Sequence, residues 1–115
     1  MTNTKVGDYI SQVLNPTLHF LSGDFARFPC VIIDDPAIEG RAHRAINISD
    51  IDWQSGETSP DFTTFPLLSP DHRGATLEDS YARLRSRWQG MTDEMLTLEE
   101  ENNRIFIDAY GLQDE

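Results

Sequence analysis

A chain of 115 residues has room for one modest core, or for a small core with a protruding element, but not for a multi-step catalytic machine. Its 9 basic and 20 acidic side chains leave a net charge of −11, divided as −5 over residues 1–75 and −6 over 76–115. Holding duplex nucleic acid normally takes Lys and Arg against the phosphates, so this balance argues against strong autonomous DNA binding. The lone cysteine rules out an internal disulfide. No apolar stretch approaches the roughly 18 residues of a membrane span and no basic-then-apolar leader is visible, so the expectation is a soluble, cytoplasmic chain.

Val6, Tyr9, Ile10, Val13 and Leu14 recur at the i, i+3, i+4, i+7, i+8 spacing of one helical face. Asn15-Pro16 ends the pattern, because a residue before proline is driven out of the helical region. The spacing predicts a first helix over about 5–14. Thr17 to Leu21 and Phe28 to Ile33 are short apolar runs separated by Gly23-Asp24, which predicts two brief strands joined by a turn. Cys30 lies in the second run, where a buried structural thiol is expected.

Asp35 is placed to cap a helix whose first position is Pro36, with Ile38, Ala42, Ala45 and Ile46 as its buried stripe to about residue 47. Residues 48–75 then lose periodicity and collect glycines and prolines, which reads as an extended connector pinned by Trp53, Phe62 and Phe65. Trp53 and Phe62, and Trp88 further on, are expected to pack as core rather than to anchor an interface.

The strongest signal begins at Thr76, whose hydroxyl precedes Asp79 by three residues in an acidic variant of the capping box. Leu77, Tyr81, Leu84, Trp88, Met91, Met95, Leu98, Asn102, Ile105 and Ala109 follow at alternating spacings of 4 and 3, a heptad seam. A helix over 76–110 would be about 50 Å long at 1.5 Å per residue, with Gly111 as its left-handed stop. A chain this short cannot cover all of it. Part of the seam is therefore expected to pack on a partner helix, with Asn102 setting the register. Arg83 and Arg87 share a helical face at i, i+4 and are candidate phosphate contacts, while Arg85 points elsewhere.

Other chemistry is sparse. The glycines are scattered, so no loop is built to hold a nucleotide or S-adenosylmethionine, and no cofactor is expected. His19, His43 and His72 lie far apart with no ligand partner at helical or turn spacing, so no metal is expected. Asp34-Asp35, Asp50 with Asp52, and Glu99-Glu100-Glu101 suit caps, turns and a solvated face better than acid–base catalysis. Asn15-Pro16-Thr17-Leu18 begins like the Asn-Pro-Pro-aromatic motif that holds a flipped adenine, but supplies no ring to stack the base.

The C-terminal run from Leu98-Glu99-Glu100-Glu101-Asn102-Asn103-Arg104-Ile105 through Phe106-Ile107-Asp108-Ala109-Tyr110-Gly111 to Glu115 resembles a signature of the large adenine-specific methyltransferases of phage-exclusion systems, of the BREX and phage-growth-limitation type. Related fused restriction-modification enzymes carry similar wording. Two earlier blocks look like the same family in the same order. One is Leu14-Asn15-Pro16-Thr17-Leu18-His19-Phe20 with Gly23-Asp24 and Phe28-Pro29; the other runs from Asp52-Trp53-Gln54-Ser55-Gly56 to Phe62 and on to Pro66-Leu67-Leu68. Gly56 and Pro60 depart from the aromatic residues the resemblance leads one to expect. The resemblance implies a place after the methyltransferase domain, closing a target-recognition region and continuing into helical spacer structure. It also leads to the expectation of an excised domain, a truncated reading frame or a small gene derived from one.

The expected fold is therefore mainly α, with a small α+β N-terminal part and a long C-terminal heptad helix. Residues 1–47 would form the edge of a target-recognition-like domain, 48–75 a connector and 76–111 a spacer helix. The expected function is non-enzymatic: a DNA-recognition and scaffold fragment that docks on a methyltransferase domain or subunit, or on itself, and meets DNA weakly or as part of a complex. The alternatives are an acidic inhibitor of such a system, acting as a DNA mimic or interface competitor, and a generic homodimeric coiled coil.

Overall fold

The computed structural model describes residues 4–17, 19 and 21–113. Along them lie α1 (Lys5–Leu14), α2 (Ser22–Ala26), α3 (Pro36–Gln54), two short 3-10 turns (Pro66–Leu68 and Pro70–His72) and α4 (Leu77–Tyr110). The fold is mainly α with a long C-terminal helix, as the periodicity predicts. The small α+β part is corrected: the described residues contain no strand. Leu18 and Phe20, which belong to the first expected strand, lie outside the described residues.

Local hydrogen bonding explains the correction. Asn15 donates from its side chain to the His19 carbonyl and to Asp24 Oδ2, both at 2.8 Å, and accepts from the Thr17 N–H at 3.1 Å. Asp24 Oδ2 also accepts from the Leu21 N–H at 3.0 Å, so Gly23-Asp24 opens a short helix instead of turning a hairpin. In the second apolar run the backbone is claimed by a side chain. Tyr110 donates its hydroxyl proton to the Pro29 carbonyl at 2.6 Å and accepts from the Val31 N–H at 3.2 Å. Cys30, between them, is exposed, which corrects the buried thiol expected there.

The chain divides into two units, Met1–Ile38 with Glu99–Glu115, and Glu39–Leu98. In the first, Thr4 Oγ1 caps α1 by accepting from the Gly7 N–H at 3.2 Å, and the Lys5 N–H donates to Asn103 Oδ1 at 2.9 Å. Val6, Phe28 and Phe106 are its buried apolar side chains. Gly111, at φ +67°, ends α4: its N–H bonds the Asp108 carbonyl at 3.2 Å and the Leu112 N–H bonds that of Ile107 at 3.0 Å. This is a Schellman stop, and it needs a residue that tolerates the left-handed region.

α3 begins where Asp35 and Pro36 place it, with Asp35 Oδ1 accepting from the Ala37 N–H at 2.9 Å. It runs seven residues past the expected end at 47, because Ile48 and Ile51 continue a stripe through Ile38 and Ala45 that Ala42 and Ile46 do not share. Ile48 is buried, whereas Ile46 is exposed. In the second unit, Phe62 and Phe65 meet edge to face at 5.2 Å between ring centroids, ahead of the two proline-initiated turns. Trp53 is 56% exposed, so it does not pack as the core residue expected. No helix among the described residues is long and apolar enough to cross a membrane.

Candidate functional site

The start of α4 is built tightly. Thr76 Oγ1 accepts from the Asp79 N–H at 3.1 Å, the cap expected from the sequence. The buried Ser80 hydroxyl donates to the Thr76 carbonyl and accepts from the Gly74 N–H, both at 2.9 Å. Gly74 comes so close to this turn that a Cβ there would lie 2.4 Å from Asp79 Cβ and 3.0 Å from the Ser80 nitrogen. The glycine permits the loop to lie on the helix.

From this start the expected seam splits into two rows. In the second unit Leu84 is buried, and Met91, Met95 and Leu98 are half-buried. Leu77, Tyr81 and Trp88 are exposed, by 71%, 52% and 39%. At 100° per residue, Tyr81 and Trp88 sit roughly 40 to 60° around the helix from Leu84, on the side away from the buried Ser80. The result is an apolar, largely aromatic shoulder beside the covered row. In the first unit Asn102 and Ile105 are half-buried and Ala109 is exposed, while the deepest side chain of α4 there is Phe106, which the seam omits. A straight α-helix drifts about 20° per heptad against a strict seven-residue repeat, so one seam cannot keep one face over 34 residues without supercoiling.

The arginines lie on the same helix. Arg87 Nη1 is 2.9 Å from Nε2 of the buried His72, and Arg83 Nη1 donates to the Arg73 carbonyl at 3.0 Å. Both side chains are thus tied to the turn that precedes α4, and Arg73, Arg83, Arg85 and Arg87 are exposed residues. His72 and Arg73 are the residues of this group that sequence reasoning left unassigned. The signal of His72 was weak, a histidine two residues after Pro70 and fifteen residues from its partner.

Elsewhere in the second unit, Arg44 meets Glu94 with both carboxylate oxygens engaged, Nη2 to Oε2 at 2.7 Å. The Arg44 hydrogen bonds hold the Glu94 carboxyl below the ordinary carboxylate range. Asp24 in the first unit is lowered in the same sense, by the hydrogen bond from the Asn15 side chain and then by that from the Leu21 backbone. Among the described residues no cluster of His, Cys, Asp and Glu is gathered for a metal ion.

The chain's relationships lie with a segment of much larger enzymes. Over nearly its whole length it is homologous to adenine-specific methyltransferases of the BREX type. It is 34% identical to adenine-specific methyltransferase PglX of Lacticaseibacillus casei (strain Zhang), over 98% of this chain and 10% of that protein. It is 31% identical to adenine-specific methyltransferase BrxX of Escherichia coli O9:H4 (strain HS), over 96% of this chain and 9% of that protein. The chain thus spans about a tenth of the length of the curated relatives it matches. No protein-family model matches it, and no solved structure does.

Proposed function

We propose that the chain is a non-catalytic scaffold and recognition segment of an adenine-specific methyltransferase system in phage exclusion, and that it acts in the cytoplasm by docking α4 on the methyltransferase. The observation that carries this reading is the exposed row Leu77, Tyr81 and Trp88 beside a thin core. Among the described residues the buried apolar side chains are Val6, Phe28, Ile48, Leu84 and Phe106, and no side chain is wholly buried. Large aromatics on a helix are the side chains that dominate interfaces when a partner desolvates them. Homology to a tenth of a methyltransferase supports the identity of that partner, and in this reading methyl transfer belongs to the remainder of such an enzyme.

The test is co-expression with the remainder of a PglX-type methyltransferase and measurement of complex formation. Docking that is lost in Trp88→Ala with Tyr81→Ala, while helicity is kept, is the expected result. A chain that ignores the methyltransferase and forms a tight homodimer through α4 would instead be an independent coiled coil. A chain that by itself methylates DNA with S-adenosylmethionine would overturn the non-catalytic assignment.

A further inference from the structure

We infer that Arg83 and Arg87 form a braced two-point contact for successive phosphates on one strand of a nucleic acid, an inference that rests on the recognition role proposed above. The four arginines of residues 70–87 (Arg73, Arg83, Arg85 and Arg87) outnumber Asp71, Glu78 and Asp79, so this stretch is +1 in a chain of −11. From Ser80 to Gly90 there is no acidic side chain at all. Residues 80–90 are the most positive stretch of an otherwise acidic molecule.

Geometry adds to the charge. A free arginine loses side-chain entropy when it binds, but here each guanidinium is already held by one nitrogen, Arg83 on the Arg73 carbonyl and Arg87 on His72 Nε2. Neither anchor is an acid, so the cations are oriented without being neutralised. The anchors are themselves fixed, since His72 is buried and Gly74 is bonded to Ser80 on the first turn of α4. Arg83 and Arg87 are four residues apart on that helix, about 6 Å along its axis, which is the order of the step between neighbouring phosphates of one strand. Carboxylates four apart on a helix share that spacing, and it is the recognition role proposed above that favours phosphates over an acidic protein surface. The chain's remaining charge of −12 opposes the contact, which is therefore weak alone and useful when a larger complex holds the DNA close.

The test is fluorescence anisotropy of a labelled short duplex DNA against the full chain at low ionic strength, over a salt series. R83Q and R87Q are each expected to lower the salt slope by about one. The double variant is expected to weaken binding about tenfold at low salt. R104Q, which removes an equal charge in the other unit, should leave both unchanged. R83K with R87K keeps the charge and loses the fork, and should bind weakly with the slope retained. The inference is overturned if R104Q acts like R83Q, if the duplex does not bind at low salt, or if polyglutamate competes as well as DNA. A double variant that still docks on the methyltransferase but no longer binds DNA upholds both readings. Docking that is unchanged in the Trp88→Ala with Tyr81→Ala variant, with DNA binding still lost in the double arginine variant, sinks only the scaffold role.

Discussion

Gly74 and Tyr110 show how much single side chains decide in a molecule with few buried ones. A methyl group at position 74 would meet Asp79 Cβ at 2.4 Å, and the neighbouring contacts are backbone atoms that cannot swing aside. Gly74→Ala is therefore expected to cost about 1–3 kcal/mol through forced displacement of the loop, read as a lowered melting temperature by circular dichroism. Ser80→Ala, which removes the bridge without a clash, should cost about 1 kcal/mol. A melt in which the two variants are equal would remove the steric argument. At the other end, Tyr110→Phe deletes both bonds to the Pro29–Val31 backbone. Faster amide exchange at Val31, with the α4 amides unchanged, is the expected signature.

Among the helices, α3 and α4 of the second unit are joined by the Arg44–Glu94 fork, and its pH dependence has a definite sign. The Arg44 hydrogen bonds hold the Glu94 carboxyl below its ordinary value in the folded chain, so its contribution is fully present above that ordinary value and is lost as pH falls through the lowered one. Both side chains are more than a third exposed, so the effect is modest and screened by salt. Glu94→Gln should flatten this part of the acid limb of a stability-against-pH curve measured at low ionic strength; an unchanged limb would place the acid sensitivity elsewhere, with Asp24 the next group to test. Within α4, burial follows Ser80, Leu84 and Met91 in one unit and Phe106 in the other, which the heptad count could not resolve. The drift of a straight helix against a seven-residue repeat is the reason.

For the molecule as a whole, light scattering over a concentration series separates the ways its apolar surface is satisfied. The docking proposal predicts a monomer at micromolar concentration, since a charge of −11 opposes self-association and the exposed row awaits another protein. In that monomer Trp88 fluorescence should be quenched by acrylamide about as readily as that of Trp53, the two being 39% and 56% exposed. Protection of Trp88 alone on raising the concentration would mean that α4 pairs with a second copy of itself.

Features that depend on near neighbours are legible along the chain. The bounds of α1, the Asp35-Pro36 start of α3, the Thr76 cap, the run of α4 and its stop at Gly111 all follow from spacings and caps within a few residues. The homology to adenine-specific methyltransferases was legible too, because whole blocks of residues carry it. The fate of the apolar runs after Asn15 depends instead on contacts distant in the chain. Their β-branched residues satisfy a strand pattern, but a strand exists through its partner, and here the hydrogen bonds of Pro29 and Val31 go to Tyr110, some eighty residues away. The same holds for the arginines. Their i, i+4 spacing was visible, whereas their bracing by His72 and Arg73 depends on the turn folding back along α4, and no local pattern encodes that contact.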